Sequence, residues 1–391
     1  MCITVIIQKC PIDSFSYFQW FLVGLYQLEK SGEICLKIKV PLLDKIALFW
    51  CNNKYIAGAL RRFAAKFFAV PRYNLVGTVI SEDGISKTFA IDSKDSPFVF
   101  TVEDLRNCDA YFKLQCPKSI TKKGFEIADN VILPWLDVNF DKNSDNISLR
   151  KVSHEIFELK DKIFPGMIGP RRLGWSCKKK ILLKNFENYH NTVIPKRKKR
   201  LIAYFGTARF PMTKKHVKRF DFDWEGDLMA FLGDSHTHPN VKREIAVNII
   251  QSLHNHEYDG RMIQMGNGKL NQSLIVPLNE FCSFLSNYDY NLNISGYRLS
   301  IPNRFIESFI SGTAILSDQL AVKWFLPFDE EVIETVKMGY ESNESVNWVK
   351  FRNDILNLPP VNPEQIKNRF NQKWHPSIFS RYIIDTTLNL S

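Results

Sequence analysis

Apolar, strand-like runs alternate with helix-like patterns along most of this chain, and this alternation is what most constrains its fold. Residues 3–7 form a short apolar run, and residues 14–30 then carry apolar side chains at helical spacing. In the second half, residues 201–205 and 288–294 predict strands, and residues 240–254 predict a helix. Strands that alternate with helices favour a parallel sheet covered by helices. The sequence therefore predicts an α/β fold.

The same patterns predict the remaining elements and a division into lobes. Further strands are predicted at residues 35–40, 75–80, 88–91, 98–101, 110–114, 130–133, 228–232, 262–265 and 313–316. Further helices are predicted at residues 55–70, 279–286, 301–311 and 363–369. Since a domain averages about 150 residues, we divide the chain into two α/β lobes, residues 1–195 and 200–360. Residues 361–391 form a tail, and packing back on the N-terminal lobe is one arrangement open to it.

The positive charge of the chain is concentrated in one segment. The chain has 52 Lys and Arg against 41 Asp and Glu, a net charge of +11. Residues 170–200 hold +10 of this charge, because Glu187 is their one acidic residue. Three interpretations remain open: a solvated linker between the lobes, a surface for an anionic membrane or a charged acceptor, and a nucleic-acid site. Because nothing else in the chain resembles a nucleic-acid-binding module, we expect no nucleic-acid partner.

The cysteines and the length of the longest apolar run help to predict the cellular location of the protein. The eight cysteines include no CxxC pair and none near a histidine at zinc-ligand spacing, a pattern typical of reduced thiols in an intracellular protein. The N-terminus lacks the charged region and cleavage site of a signal peptide. Residues 18–28, the longest apolar run, fall short of the roughly 20 residues that a bilayer span needs. We expect a cytoplasmic protein, or one peripheral to a membrane, with neither signal peptide nor transmembrane helix.

Two glycines each follow an apolar run of five residues. Gly206 follows LIAYF, and Gly233 follows LMAFL. A glycine there lets the backbone approach a ligand at the carboxyl end of a parallel strand, where open α/β sheets bind ligands. After Gly233, Asp234 or Ser235 can begin a turn, and Arg243 lies in the first turn of a predicted helix whose N-terminal amides attract phosphate. A purely structural role for both turns is the alternative.

Histidines near the second glycine raise the question of a metal site. His236 and His238 supply two ligands where three or four are needed, and no cysteine completes the set. We therefore expect no metal. Because His236 lies beside the turn at Gly233, it is a candidate catalytic residue.

The helix predicted at residues 301–311 carries the most informative pattern. Ser300 suits the cap at its start, and Gly312 suits its C-terminal end. Arg304 and Glu307 are spaced i, i+3, so they lie near one another on the helix surface. An arginine and a hydroxyl there suit a diphosphate, and a carboxylate suits paired sugar hydroxyls.

This stretch resembles the donor-binding motif of two-lobed glycosyltransferases of the GT-B architecture, closest to the exostosin-like and protein O-glucosyltransferase style. The residues that occupy motif positions are Gly296, Ser300, Arg304, Glu307, Gly312 and Asp318. The resemblance covers residues 200–330 and is one of motifs rather than of close sequence.

The resemblance implies both an architecture and a reaction. It implies two Rossmann-like lobes with an interlobe cleft, a nucleotide-sugar donor in the second lobe and a glycan acceptor in the first. Arg243 and either Arg298 or Arg304 would bind the diphosphate, and Glu307 would bind the ribose. The reaction would be of the kind that builds cell-surface or capsule polysaccharide. It needs no cofactor, and no metal is required because side-chain cations stabilise the leaving group.

An inverting transferase also needs a general base in the first lobe. Asp92 and Asp95, in FAIDSKDSPF after a predicted strand, are the best candidates. The alternative is a turn whose aspartate side chains bond its own backbone. Two other functions remain open: a basic nucleic-acid-binding protein on an α/β scaffold, and a catalytically inactive glycosyltransferase-like partner.

Overall fold

A computed structural model describes both halves of the chain, with gaps. The described residues are 2–10, 15–39, 74–94, 97–128, 131–134, 136–140, 147–151, 155–170, 173, 179–196, 199–206, 239–263, 271–277, 279–296, 299–335 and 346–390. The helix predicted at residues 55–70 and the strand predicted at residues 228–232 lie outside them. The predicted site residues that also lie outside them are Asp95, Gly233, Ser235, His236 and Arg298.

Strands and helices alternate along the described chain. The strands are β1 (Ile3–Lys9), β2 (Ile34–Ile38), β3 (Asn74–Ile80), β4 (Ser86–Asp92), β5 (Ala110–Lys113), β6 (Cys116–Pro117), β7 (Ser119–Ile120), β8 (Gly124–Ala128), β9 (Val131–Pro134), β10 (Leu136–Phe140), β11 (Ile147–Lys151), β12 (Ile163–Pro165), β13 (Lys199–Phe205), β14 (Tyr258–Met262), β15 (Tyr288–Asn293), β16 (Ala314–Ser317), β17 (Val322–Lys323) and β18 (Val332–Glu334). The α-helices are α1 (Phe15–Lys30), α2 (Val102–Asn107), α3 (Glu155–Glu158), α4 (Lys179–His190), α5 (Pro239–Ser252), α6 (Phe281–Leu285), α7 (Arg304–Ile310), α8 (Trp348–Leu356), α9 (Pro363–Lys373) and α10 (Pro376–Leu388). None of these described helices is long and apolar enough to cross a membrane.

The first half forms a six-stranded sheet in the order β12-β5-β4-β3-β1-β2. Five strands run in one direction, and β3 is antiparallel to both of its neighbours, β1 and β4. This strand departs from the predicted parallel arrangement because residues 81–85 alone join it to β4, whereas parallel strands need a crossover of a dozen or more residues. The backbone N–H of Ser81 donates to Ile85 O at 2.9 Å and closes the hairpin. The carboxyl ends of β1, β4, β5 and β12 therefore share one edge of the sheet.

The second half forms a five-stranded sheet in the order β14-β13-β15-β16-β18, and all of its pairings are parallel. Numbered within the sheet, this order is 2-1-3-4-5, which is one of the common orders of open α/β sheets. The direction of strand progression reverses between β13 and β15. Ligands in such sheets bind at that reversal, beyond the carboxyl ends of the strands.

The two halves are joined by strand pairing and by an aromatic core. The short strand β17 of the second half pairs antiparallel with β6 of the first. Trp20 of α1 lies against Phe370 of α9, with ring centroids 6.0 Å apart. Trp374, which follows α9, stacks on Phe309 of α7 at 5.0 Å. Buried aromatic rings therefore connect the first sheet's helix to the second sheet's helix.

The C-terminal helix packs along α1 of the first half. Ser380 Oγ donates to Phe21 O at 2.8 Å, and Trp20 Nε1 donates to Trp374 O at 3.1 Å. The two helices approach closely because α1 has a glycine at the contact. A Cβ atom on Gly24 would overlap Pro376 O and Ser380 Oγ.

Some elements of the structure differ from those predicted. Residues 98–101 are not a strand: Phe98 and Phe100 are buried against Phe125, with ring centroids 5.3 and 5.9 Å away. Apolar content predicted a strand there, but the side chains instead fill an aromatic cluster before α2. The strand predicted at residues 262–265 is β14, which ends at residue 262. The long C-terminal helix α10 was not predicted.

We predict that Gly24→Ala lowers the melting temperature. Alanine in the middle of a helix normally stabilises it by about 1 kcal/mol relative to glycine. A loss of stability in this variant would therefore result from the overlap of the added Cβ atom with α10. Thermal unfolding followed by circular dichroism measures the change. Gly206→Ala is the control, because its Cβ would meet no atom of the described residues within 4 Å. An unchanged or raised melting temperature for Gly24→Ala would contradict the observed helix packing.

Candidate functional site

Three strand ends of the second sheet meet where the strand order reverses. Gly206 directly follows β13, Ser295 lies just beyond β15, and Asp318 directly follows β16. Gly206 is exposed, and a Cβ built on it would meet no atom of the described residues within 4 Å. Gly206 therefore lies at the place where an α/β sheet binds its ligands.

Arg243 of α5 is buried across the ends of β13 and β15. Its Nε and Nη2 donate to Ile294 O at 3.1 and 2.7 Å, and its Nη1 donates to Gly206 O at 3.4 Å. The pKa of Arg243 is lowered to about 9, mainly by burial and also by the nearby charge of Arg304, while the charge of Asp318 opposes the shift. The backbone of two neighbouring strands thus holds a cation whose burial is unfavourable.

Arg304, the first residue of α7, converges on the same place from another element. Its Nη1 donates to Tyr204 O at 2.8 Å. Its guanidinium lies over the ring of Phe205, 5.5 Å from the centroid, and that of Arg243 lies 5.4 Å from the same centroid. The ring attracts both cations, but the two positive charges repel one another. A ligand with adjacent negative charges would relieve that repulsion.

Asp318 is the buried carboxylate beneath these arginines. Its Oδ2 accepts from the backbone N–H of Ser295 at 2.8 Å, and its Oδ1 accepts from Ser295 Oγ at 2.9 Å. Burial raises the pKa of Asp318 to about 6, against the opposing effects of the Ser295 bonds and of the Arg243 charge. These bonds hold the start of the loop that carries Gly296, whose Cβ would lie 3.6 Å from Arg243 Nη2. Asp318 therefore positions the turn next to the arginines.

Glu307 lies one turn after Arg304 and is buried. Burial raises the pKa of Tyr189 and of the Cys282 thiol, and the charge of Glu307 raises both further. The carboxylate of Glu307 therefore lies close to Tyr189 of α4 and Cys282 of α6. Its predicted role in binding ribose stays a prediction.

The start of α7 differs from the predicted helix. The helix begins at Arg304 and is preceded by Asn303 at the cap position, so Ser300 does not cap it. The side chain of Asn303 instead donates to Gly169 O, in the first half, at 2.7 Å. The predicted capping role of Ser300 is wrong because the first half holds the preceding segment out of the helix. Gly312, with a φ of 68°, does end the helix as predicted.

Asp92, the candidate base in the first half, is fully buried at the end of β4. It accepts from Tyr111 OH at 2.6 Å, from Lys113 Nζ at 3.1 Å and from the backbone N–H of Lys94 at 2.8 Å. The contact with Lys94 is the backbone-bonding turn that was the alternative interpretation. A general base must reach the proton that it abstracts, and the three donors enclose Asp92. Its catalytic role stays a prediction.

Other polar groups share this edge of the first sheet. Asp104 accepts from Asn74 Nδ2 at 2.7 Å and pairs with Lys9 Nζ at 3.4 Å. Burial lowers the pKa of Lys94, with Lys113 adding to the shift and Asp92 opposing it. These groups were not among the predicted site residues. Lys9, Asn74 and Lys113 are polar residues at the ends of apolar strands, and this pattern could have identified them from the sequence.

The described residues of the basic segment at residues 170–200 include a helix. This helix is α4, whose Leu182 and Phe186 are buried and whose Lys180 and Lys184 are exposed. The last residue of the segment, Arg200, belongs to β13 and donates to Asp289 Oδ2 at 2.7 Å. Part of the positive charge is thus compensated inside the second half. Contact between the exposed lysines and an anionic membrane stays a prediction.

Neither a metal centre among the described residues nor a match to a known protein points to a function. Among the residues with described positions, no group of three or more His, Cys, Asp or Glu is arranged to hold a metal ion. Independence from metal stays a prediction. Comparisons with protein-family models, with curated proteins and with solved structures found no match. The geometry at the strand ends therefore carries the functional argument.

We predict that Asp318→Asn changes how stability depends on pH. The folded carboxyl has a pKa of about 6 against an ordinary value of 3.8, so the folded protein binds the proton more tightly than the unfolded chain. Wild-type stability should fall, through this group, as the pH rises from about 4 to about 6, by about 2 to 3 kcal/mol. The variant lacks this titrating group. The difference between its free energy of unfolding and that of the wild type should therefore change in favour of the variant as the pH rises from about 4 to about 6, and should stay constant at higher pH. Urea unfolding at several pH values measures the difference, and a constant difference would contradict the prediction.

Proposed function

We propose that the protein is a glycosyltransferase that moves a sugar from a nucleotide-sugar donor to a glycan or glycoconjugate acceptor. The observation that carries the proposal is the convergence of Arg243 and Arg304 on Phe205, at the strand reversal of a parallel sheet. Guanidinium groups bind phosphate oxygens with two parallel hydrogen bonds. Two of them side by side suit the diphosphate of such a donor. The motif resemblance of residues 295–318 supports the same ligand.

The arginines would act on the group that leaves. The acceptor oxygen bonds to the anomeric carbon of the sugar, and the bond from that carbon to the diphosphate oxygen breaks. The electron pair of that bond stays on the nucleoside diphosphate, where the two cations stabilise the growing negative charge. The proton of the acceptor hydroxyl goes to a base, for which Asp92, Asp95 and His236 are the candidates.

The contact between the halves supports an architecture of two Rossmann-like lobes with the acceptor on the first. Gln115 follows β5 at the carboxyl edge of the first sheet and bonds to Ile301, three residues before Arg304. The polar edge that contains Asp92 and Lys113 therefore belongs to the part of the first half that contacts the arginine-bearing segment. A cleft between these two edges would bring donor and acceptor together.

We predict that nucleoside diphosphates raise the melting temperature of the protein and that Arg304→Ala removes most of this effect. A charge-assisted hydrogen bond contributes about 1.5 to 3 kcal/mol, so affinity should fall about ten- to a hundredfold. Arg261→Ala is the matched control, since Arg261 also lies over a ring, that of Phe284, but its guanidinium pairs with Asp259 of its own strand. Isothermal titration gives the affinities.

The same measurements separate the alternatives. Stabilisation by DNA or RNA, with none by any nucleotide, would overturn the proposal in favour of a nucleic-acid-binding protein. Purified protein should also release nucleoside diphosphate slowly from one of the common nucleotide sugars in the absence of acceptor. Tight binding of a nucleotide sugar without any turnover, with or without glycan acceptors, would identify an inactive partner instead.

A further inference from the structure

The segment that leads into Arg304 is held by the first half of the chain. Gln115 bonds to the backbone of Ile301, and Asn303 bonds to Gly169 O. Leu299 is buried in a hydrophobic cluster whose other members, apart from Ala321, belong to the first half. Residues 299–303 thus belong to the second half by sequence but are placed by contacts with the first.

The bond between Gln115 and Ile301 is reciprocal. Gln115 Nε2 donates to Ile301 O at 2.8 Å, and the backbone N–H of Ile301 donates to Gln115 Oε1 at 3.0 Å. The side-chain amide therefore satisfies both backbone groups of one residue, as a neighbouring strand would. Both residues are buried, with exposed fractions of 2% and 0%, so loss of either bond would leave a desolvated polar group without its partner.

The backbone of Leu299 has an unfavourable conformation that its surroundings must hold in place. Its φ is +51°, in the left-handed region that a leucine rarely adopts. Its N–H donates to Gly296 O at 3.0 Å, and its side chain is 2% exposed. An unfavourable backbone conformation persists only where the surroundings hold it. The first half therefore restrains the segment rather than merely touching it.

The two arginines of the candidate site differ in how they are held. Arg243 of α5 donates hydrogen bonds to Gly206 O and Ile294 O, which directly follow β13 and β15 of the second sheet. Arg304 begins α7 directly after the restrained segment, and its guanidinium reaches Tyr204 O from there. A shift of the segment would move Arg304 away from Phe205 while Arg243 stayed in place.

We infer that Gln115 is a positioning residue for the anion site: it holds residues 299–303 so that Arg304 stands beside Arg243. The inference rests on the proposed function, because the anion site is the one assigned there to the donor diphosphate. It adds that the first half, which would bind the acceptor, sets the affinity of the second half for the donor. Such coupling acts through a chain of packed and hydrogen-bonded groups.

The test compares Gln115→Ala and Gln115→Glu with Gln19→Glu. Gln19 is an equally buried glutamine of the first half, whose Oε1 accepts from the backbone N–H of Leu173 at 3.1 Å. Nucleoside diphosphate affinity is measured by isothermal titration, and folding by circular dichroism and melting temperature. We expect each Gln115 variant to bind about tenfold more weakly at about pH 8, and Gln19→Glu to bind as the wild type does.

Two readouts distinguish positioning from a general loss of structure. In Gln115→Glu, a protonated carboxyl can again donate to Ile301 O, so the deficit relative to wild type should shrink as the pH falls to about 5.5. The double variant Gln115→Ala/Arg304→Ala should bind no more weakly than Arg304→Ala alone, because Gln115 acts through Arg304.

The outcomes separate this inference from the proposed function. Absence of nucleotide binding by the wild type would remove both. If the wild type binds and Arg304→Ala weakens binding, then wild-type affinity in folded Gln115→Glu and Gln115→Ala would overturn the inference alone. Full additivity of the Gln115→Ala and Arg304→Ala losses would also overturn it.

Discussion

Parallel pairing in the second sheet is the constraint on which the rest of the site depends. Because β13, β15 and β16 run in the same direction, their carboxyl ends share one edge, and each helix that follows a strand starts from that edge. In a sheet with the strand order 2-1-3-4-5, ligands bind beyond the carboxyl ends of the strands where that order reverses, which here is between β13 and β15. Arg243 and Arg304 reach this edge from α5 and α7, and both guanidinium groups lie over the ring of Phe205. No short stretch of sequence contains both arginines, so the sheet itself creates their proximity.

The site combines groups that are unfavourable for stability. A buried guanidinium, a second guanidinium on the same ring and a buried carboxylate with a pKa raised to about 6 lie at one edge. Backbone carbonyls at the strand ends and the Ser295 bonds to Asp318 offset part of this cost. Charged groups in unfavourable surroundings are concentrated at functional sites, because selection for binding keeps them although they lower the stability of the fold.

Local patterns predicted local structure well, and non-local contacts account for the differences. Residues 201–205 and 288–294 are strands, and residues 240–254 are largely helix, because the periodicity of apolar residues reflects burial of the same element. The direction of β3 followed from the length of the turn after it, which the pattern of alternation ignores. Residues 98–101 have strand-like composition, yet they pack their rings into a cluster instead of pairing. The α10 helix depends on its contact with α1, which is some 350 residues away.

The sequence by itself determined the α/β class and several strands and helices of the second half, and it singled out Gly206, Arg243 and Arg304 as candidate site residues. These follow from periodicity, from residue types at strand ends and from the spacing within one motif. Only the tertiary structure decided that the two arginines share Phe205, that Asp92 is enclosed by donors, and that Gln115 holds the segment before Arg304. The physical reason is that these contacts join residues up to 186 positions apart. Their geometry is set by how the strands are ordered and how the halves pack, and no local pattern in the chain encodes that.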